Sequence, residues 1–322
     1  MSRNVRAGTG SRSRRLLVRV LQLGATVLVT WFILDRLGLS LGAVRDLDPR
    51  WWRPQAGPLV LSSLLLAAAY ALSGALWGGM VRELGGGGLG HRRGIGIYLV
   101  ANLGRYVPGK VWQILGLAWL AGRAGVPPTV ATSAAVLGQA LSLAGAALVG
   151  AVALFGAGGA ERTLAPWVLG AVALGILLTL SRSFMEKALA LWSRVLRARE
   201  TPQVPGPTFG LRWAAAYALN WIAYGVAFVV FASAFGVDVP WVPTASGFVA
   251  SWLLGYLALF APAGIGVREG VLVALLSPFL GAGAVAVAAL SRVWLTLVEV
   301  VAALALGGGV LREARAVAGE AS

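Results

Sequence analysis

Six ionisable residues, Arg105, Lys110, Arg268, Glu269, Arg292 and Glu299, lie inside or beside long apolar runs. A charge at membrane depth costs roughly 2.5–3.5 kcal/mol on insertion scales and is normally turned to the protein interior or to a water-filled cavity. Whatever chemistry the apolar part of the chain performs is therefore concentrated in these residues. Arg105, Lys110 and Arg268 suit a phosphate, because arginine offers a planar fork of donors and lysine a mobile point charge. Arg292 and Glu299 stand about two helical turns apart and share one face of a helix. They read either as the lining of a pathway or as an interior staple, with Arg292 pairing to Glu269 and Glu299 to a cation of the Arg105 segment.

Nucleophilic and acid–base chemistry has little to stand on. The chain has no cysteine, which excludes thiolate nucleophiles, disulfides and cysteine-based metal sites. Its single histidine, His91, sits beside Arg92 and Arg93 in a Gly-rich loop, as a solvated residue would. Only Glu269 or Glu299 remains for a membrane-embedded lipid transferase, so no catalytic set, metal site or cofactor is expected and the chain reads as a non-enzyme. The run Gly-Gly-Gly-Gly-Leu-Gly at 85–90 has dinucleotide-type glycine spacing, but it follows an apolar span where that fingerprint needs a strand. No ATP-binding motif is present.

The candidate residues sit at two breaks between short apolar segments. The segments 95–103 and 111–120 are each too short to cross a bilayer, and Gly104-Arg105-Tyr106-Val107-Pro108-Gly109-Lys110 separates them. Farther on, 244–261 and 271–279 flank the stretch that starts Pro262-Ala263-Gly264-Ile265-Gly266-Val267-Arg268-Glu269. Paired half-length helices around a charged Pro–Gly break predict re-entrant hairpins. Pro108 and Pro262 mark the breaks. Gly109, Gly264 and Gly266 would let backbone approach a ligand closely, or simply permit the turn.

Around the breaks the composition is that of an all-α integral membrane protein: 58% hydrophobic and 12% charged, against about 25% charged in soluble domains. Apolar runs at 16–34, 59–80, 130–155, 164–180, 213–235 and 282–306 predict about six full transmembrane helices. The small residues in 131–150 and 282–305 read as helix packing. The net charge of +15 would suggest nucleic acid in a soluble protein. Here the arginines lie in loops, as membrane orientation requires, so no nucleic-acid partner is expected. The positive-inside pattern predicts a multi-pass protein of the plasma (inner) membrane with both termini cytoplasmic. The basic N-terminus ahead of 16–34 also resembles a signal peptide, but the run is long and no small-x-small site follows, so an uncleaved first span is expected.

The chain divides into 1–56, a basic segment with the first span and an external loop; 57–180, a first membrane repeat; 181–210, a basic amphipathic helix and Pro-rich linker; 211–307, a second repeat; and 308–322, a cytoplasmic tail. Within 181–210, Phe184, Ala188, Leu191 and Val195 recur at helical spacing, as in a helix lying on the membrane or packed on the protein. The two repeats match at an offset of 154 residues, pairing Tyr70 with Tyr224, Tyr106 with Phe260 and Pro108 with Pro262. With the alternation of basic loops, this predicts an inverted-topology repeat whose hairpins enter from opposite sides and aim at the midplane.

The two break motifs, Asn102-Leu103-Gly104-Arg105-Tyr106-Val107-Pro108-Gly109-Lys110-Val111-Trp112 and Pro262 to Glu269, resemble the signatures of the lysylphosphatidylglycerol synthase transmembrane family. The resemblance spans roughly 59–306 and implies a flippase-like domain that translocates a phosphate-bearing lipid, either a phospholipid or a polyprenyl-phosphate glycolipid. Bifunctional members carry a soluble aminoacyltransferase domain. These 322 residues leave no room for one, so a separate aminoacyltransferase or glycosyltransferase is a possible partner, which the chain would serve as an accessory subunit. Ala263 stands where a second glycine is expected in the second motif.

Overall fold

In the computed structural model the described residues are 49–106, 112–153, 170, 172–178, 180–195, 202–206, 208–258, 264 and 266–320. Among them there is no strand. After a 3-10 turn at Pro49–Trp52, the helices are α1 (Ala56–Glu83), α2 (His91–Asn102), α3 (Trp112–Arg123), α4 (Pro128–Ala151), α5 (Arg182–Val195), α6 (Phe209–Ser233), α7 (Trp241–Leu257), α8 (Val267–Leu280) and α9 (Gly283–Glu320). A second 3-10 turn, Leu103–Tyr106, follows α2 directly. Helices α1, α4 and α6 and residues Gly283–Glu313 of α9 are long and apolar enough to cross a membrane. The span expected at 16–34 and much of that at 164–180 lie outside the described residues, as do Pro108, Gly109, Lys110 and Pro262.

The long helices α1 and α6 lie antiparallel along each other. Gln55 N donates to Ala234 O (2.7 Å) at one end, Tyr70 meets Tyr224 edge-on in the middle (ring centroids 5.4 Å), and Glu83 pairs with Arg212 at the other end. The rest of the packing is built twice. Helices α2 and α3 form a hairpin, and so do α7 and α8. Helix α2 packs on α1 and α9, while α7 packs on α6 and α4. Adding 154 to the bounds of α1, α2, α3 and α4 gives 210–237, 245–256, 266–277 and 282–305, which fall on α6, α7, α8 and α9. Tyr70 and Tyr224, which touch one another, are equivalent under this offset.

Close helix approach at small residues makes this packing possible. A Cβ on Gly145 would lie 2.8 Å from Ala218 N, and one on Gly150 3.1 Å from Ala250 Cα. Side chains at these positions would force α4 away from α6 and α7.

The two ends of the bundle differ in charge. One core cluster joins Leu84 and Leu89 of the α1–α2 turn, Val126 of the α3–α4 turn, Met185 and Leu189 of α5, Phe209 at the start of α6, and Val310 of α9. That end carries Arg82, Arg92, Arg93, Arg123, Arg182, Lys187, Arg194, Arg212 and Arg312. At the far end Trp51, Phe235, Val239, Leu276 and Ala284 belong to the other cluster. The α2–α3 hairpin opens toward the basic end and the α7–α8 hairpin toward the opposite one. Helix α5 packs through Met185 and Leu189, which are buried, and leaves Phe184 and Leu191 exposed. Phe184 and Leu191 of the stripe read from the sequence thus face outward.

Two hairpin helices differ in extent from the hydropathy reading. Helix α7 spans Trp241–Leu257, not 244–261. Helix α8 starts at Val267, four residues before the apolar run at 271–279. The Glu269 carboxylate accepts the Gly266 N–H (2.7 Å) and caps this first turn, which hydropathy does not register. Arg268 and Glu269 are therefore helical. Likewise α9 continues as helix past Leu306 to Glu320.

Candidate functional site

Described residues on either side of the two breaks line one cavity of about 230 Å³, walled also by α1, α4, α6 and α9. From the first tip it is lined by Arg105, Tyr106 and Gln113, and from the second by Gly255, Tyr256, Gly264 and Arg268. Glycines bring the end of α7 and the start of α8 close together. Gly264 has φ +68° and Gly266 φ +87°, and a Cβ on Gly264 would stand 2.7 Å from Gly255 O. Gly255 in turn lies against Arg268, where an added Cβ would meet that of Arg268 at 2.9 Å. Arg268 is thus fixed at the tip with its guanidinium 5.2 Å over the Phe248 ring, in cation–π contact.

Polar groups that the spans otherwise avoid converge here. The chain has 6 tyrosines, and Tyr70, Tyr98, Tyr106, Tyr217, Tyr224 and Tyr256 all line this cavity. So do Asn102 and Asn220, together with Ser73, Gln113 and Gln139. A continuous aromatic wall runs from Tyr70 to Tyr224, Trp221, Trp252 and Tyr256, with successive ring centroids 5.4, 5.3, 4.4 and 5.3 Å apart.

The charged residues form two ion pairs and leave one guanidinium outside them. Glu299, fully buried on α9, pairs with Arg105 and also accepts Asn102 Nδ2 and the Tyr106 hydroxyl, each at 2.6 Å. The donors come from consecutive turns at the end of α2, so Glu299 locks the first hairpin tip to α9. Glu269 accepts from Arg292 Nη1 (3.3 Å) in addition to capping Gly266. That pair ties the start of α8 to α9. Arg268 Nη2 is buried and has no hydrogen-bond partner. A buried donor left unmade costs about 1–3 kcal/mol, and more when charged. Among the described residues, Arg105, Arg268 and Arg292 line the cavity and no carboxylate does. The electrostatic surface offered to a ligand is therefore cationic.

Of the residues singled out in the sequence, Arg105, Gly264, Arg268 and Arg292 line the cavity, and Glu269, Glu299 and Gly266 support it from behind. The tyrosines and amides did not stand out as a site in the sequence. The available signal was their rarity within apolar helices.

The family model described as Lysylphosphatidylglycerol synthase TM region matches residues 16–306. No curated protein matches the chain.

Proposed function

The chain belongs to the lysylphosphatidylglycerol synthase transmembrane family, and from that premise we propose that this helical membrane protein moves a phosphate-bearing lipid between leaflets. The head group would pass through the polar cavity while the acyl or polyprenyl chains stay in the surrounding hydrocarbon. The observation that carries this reading is Arg268 Nη2, a buried guanidinium nitrogen without a hydrogen-bond partner on a cavity to which the described residues bring cations and no carboxylate. Arg105 stands on the same cavity as a second cation. Burying such groups next to a hydroxyl- and amide-lined space is costly unless an anion is received there. Lys110 is the remaining phosphate candidate, placed by sequence next to the first tip.

The test is leaflet exchange of a labelled anionic phospholipid in proteoliposomes containing the purified chain alone. Exchange well above that of protein-free vesicles is expected. A rate equal to theirs would remove the transport reading and favour the role of an accessory subunit to a separate transferase.

In this reading the basic end of the bundle faces the cytoplasm, both termini lie there, and six full spans enclose two re-entrant hairpins that meet at mid-depth from opposite sides. The chain has no cysteine of its own, so single cysteines report cleanly. Cysteines replacing Arg92 and Arg194 should react with an impermeant thiol reagent only from the cytoplasmic side, and one replacing Asp238 only from outside. Labelling of the Arg194 position from outside would overturn this orientation.

A further inference from the structure

We propose that α5 seats on an anionic lipid surface at the basic end of the bundle, with Phe184 and Leu191 in the edge of the hydrocarbon and Lys187 and Arg194 on lipid phosphates. This surface is separate from the cavity, and the inference does not rest on lipid transport through it.

The helix presents three faces. With successive residues turned by about 100°, Met185, Leu189 and Ser193 fall on one line, and all three are buried against the protein. Phe184 and Leu191, two turns apart on a second line, are 42% and 64% exposed. Arg182 and Glu186 pair with each other on the side away from that second line (2.7 Å). Lys187 and Arg194 stand between, each three residues after Phe184 or Leu191 and so next to it on the helix surface. Both are exposed, and neither takes part in an ion pair among the described residues. An apolar line edged by a line of cations suits the head-group boundary, where the long cationic stems lie along apolar surface and their charges reach lipid phosphates.

The depth at which α5 is held agrees with this. The stretch 170–180 before it has no charged residue and exposes Leu174, Leu177 and Leu178, as a span in lipid does, and charge returns at Arg182. Met185 packs beside Gly210, where an added Cβ would meet its Cε at 3.0 Å. Just beyond Gly210, Arg212 pairs with Glu83, and Trp213 Nε1 donates to the same carboxylate (3.0 Å). At the same end Trp119 is 52% exposed, with the Arg123 guanidinium 5.3 Å from its ring. Tryptophan beside a cation marks the level where hydrocarbon gives way to head groups. The buried face of α5 thus fixes the helix at that level, and its outward face meets the lipid there.

Charge balance selects an anionic surface. Helix α5 carries three cations and one anion, and that anion is taken by Arg182. The two cations along the apolar line have no protein carboxylate to meet. An anionic leaflet supplies the counter-charge, whereas in a zwitterionic one each phosphate is already balanced by an ammonium.

The experiment uses the purified full chain in nanodiscs of phosphatidylcholine alone, or with about a third of it replaced by phosphatidylserine. The chain has no cysteine, so single cysteines in place of Phe184, Leu191 and, on the polar side, Glu186 can each carry a polarity-sensitive fluorophore. Its emission shift and its quenching by brominated acyl chains report contact with lipid. Labels at Phe184 and Leu191 should be quenched, and the label at Glu186 should not. The ratio of seated to unseated helix read at Leu191 should rise roughly tenfold or more with phosphatidylserine, the order expected for two cations at an anionic surface, and high salt should reverse the gain. Lys187→Glu with Arg194→Glu should abolish the dependence on phosphatidylserine, while Lys187→Arg with Arg194→Lys should retain it. If the reversed pair does not fold, Lys187→Gln with Arg194→Gln carries the same test at smaller amplitude. A Leu191 label open to water in both nanodiscs overturns the proposal and favours a protein partner on this face. Quenching that neither phosphatidylserine nor charge reversal alters also overturns it, since apolar contact alone would then seat the helix.

Discussion

Alanine in place of Arg268 is expected to slow leaflet exchange of an anionic lipid by about 10- to 100-fold, the range set by the 1.5–3 kcal/mol of one charge-assisted hydrogen bond. Among the described residues Arg268 takes part in neither ion pair, and its buried Nη2 has no hydrogen-bond partner. Removing it therefore breaks no salt bridge, and the variant should melt close to the wild type apart from the lost contact over Phe248. Arg268→Lys keeps the charge and loses the planar fork, so it should fall between the two. The deciding comparison is exchange in proteoliposomes beside thermal stability in detergent. Normal exchange by a well-folded Arg268→Ala protein would take this residue out of the site and leave Arg105 and Lys110 as the phosphate candidates. A loss of exchange matched by an equal loss of stability would mean that the guanidinium holds the tip in shape and does not receive the lipid.

Glu299→Ala should do the opposite, acting first on stability. The carboxylate is 0% exposed and receives Arg105, Asn102 and Tyr106 together. Removing one partner of a buried ion pair typically costs ~3–5 kcal/mol, because the other charge is left without compensation. Arg105 keeps 33% of its side chain exposed, which places the expected loss toward the lower end of that range. Glu299→Gln keeps two acceptor lone pairs for the amide and the tyrosine and should recover part of the loss. The measurement is denaturant or thermal unfolding of the purified protein, with Arg105→Ala and the double variant completing a cycle. Coupling near zero in that cycle would show that Glu299 does not hold the first tip through Arg105.

The sequence carried the fold far because a bilayer turns hydropathy into length. Runs of about 20 apolar residues separate from runs of about 10 along one dimension, and that distinction marked α1, α4, α6 and α9 as long helices and α2, α3 and α8 as short ones, whereas α7 was marked by the Pro–Gly break after it. The 154-residue offset was read from matched residues, Tyr70 with Tyr224, Tyr106 with Phe260 and Pro108 with Pro262. The start of α8 was not legible. Its first turn is closed by Glu269 on the Gly266 N–H, a capping interaction that adds polar residues to a helix where a hydropathy scale ends it.

The site divides along the same line. By itself the sequence determined which ionisable residues stand in or beside the apolar runs, Arg105, Lys110, Arg268, Glu269, Arg292 and Glu299, because each is an exception in a chain that otherwise excludes charge. Only the tertiary structure decided which of them are committed to one another and which atom is left over. It also decided that six tyrosines scattered between positions 70 and 256 line one cavity. Tyr70 and Ser73 meet Tyr224 and Asn220 because α1 and α6 lie antiparallel in one particular register. Helical periodicity reports that a face is polar; it does not report what faces it. Partnering of a buried polar atom depends on the neighbouring helix, and that neighbour is chosen by close packing at residues such as Gly145 and Gly150, far along the chain from the groups they bring together.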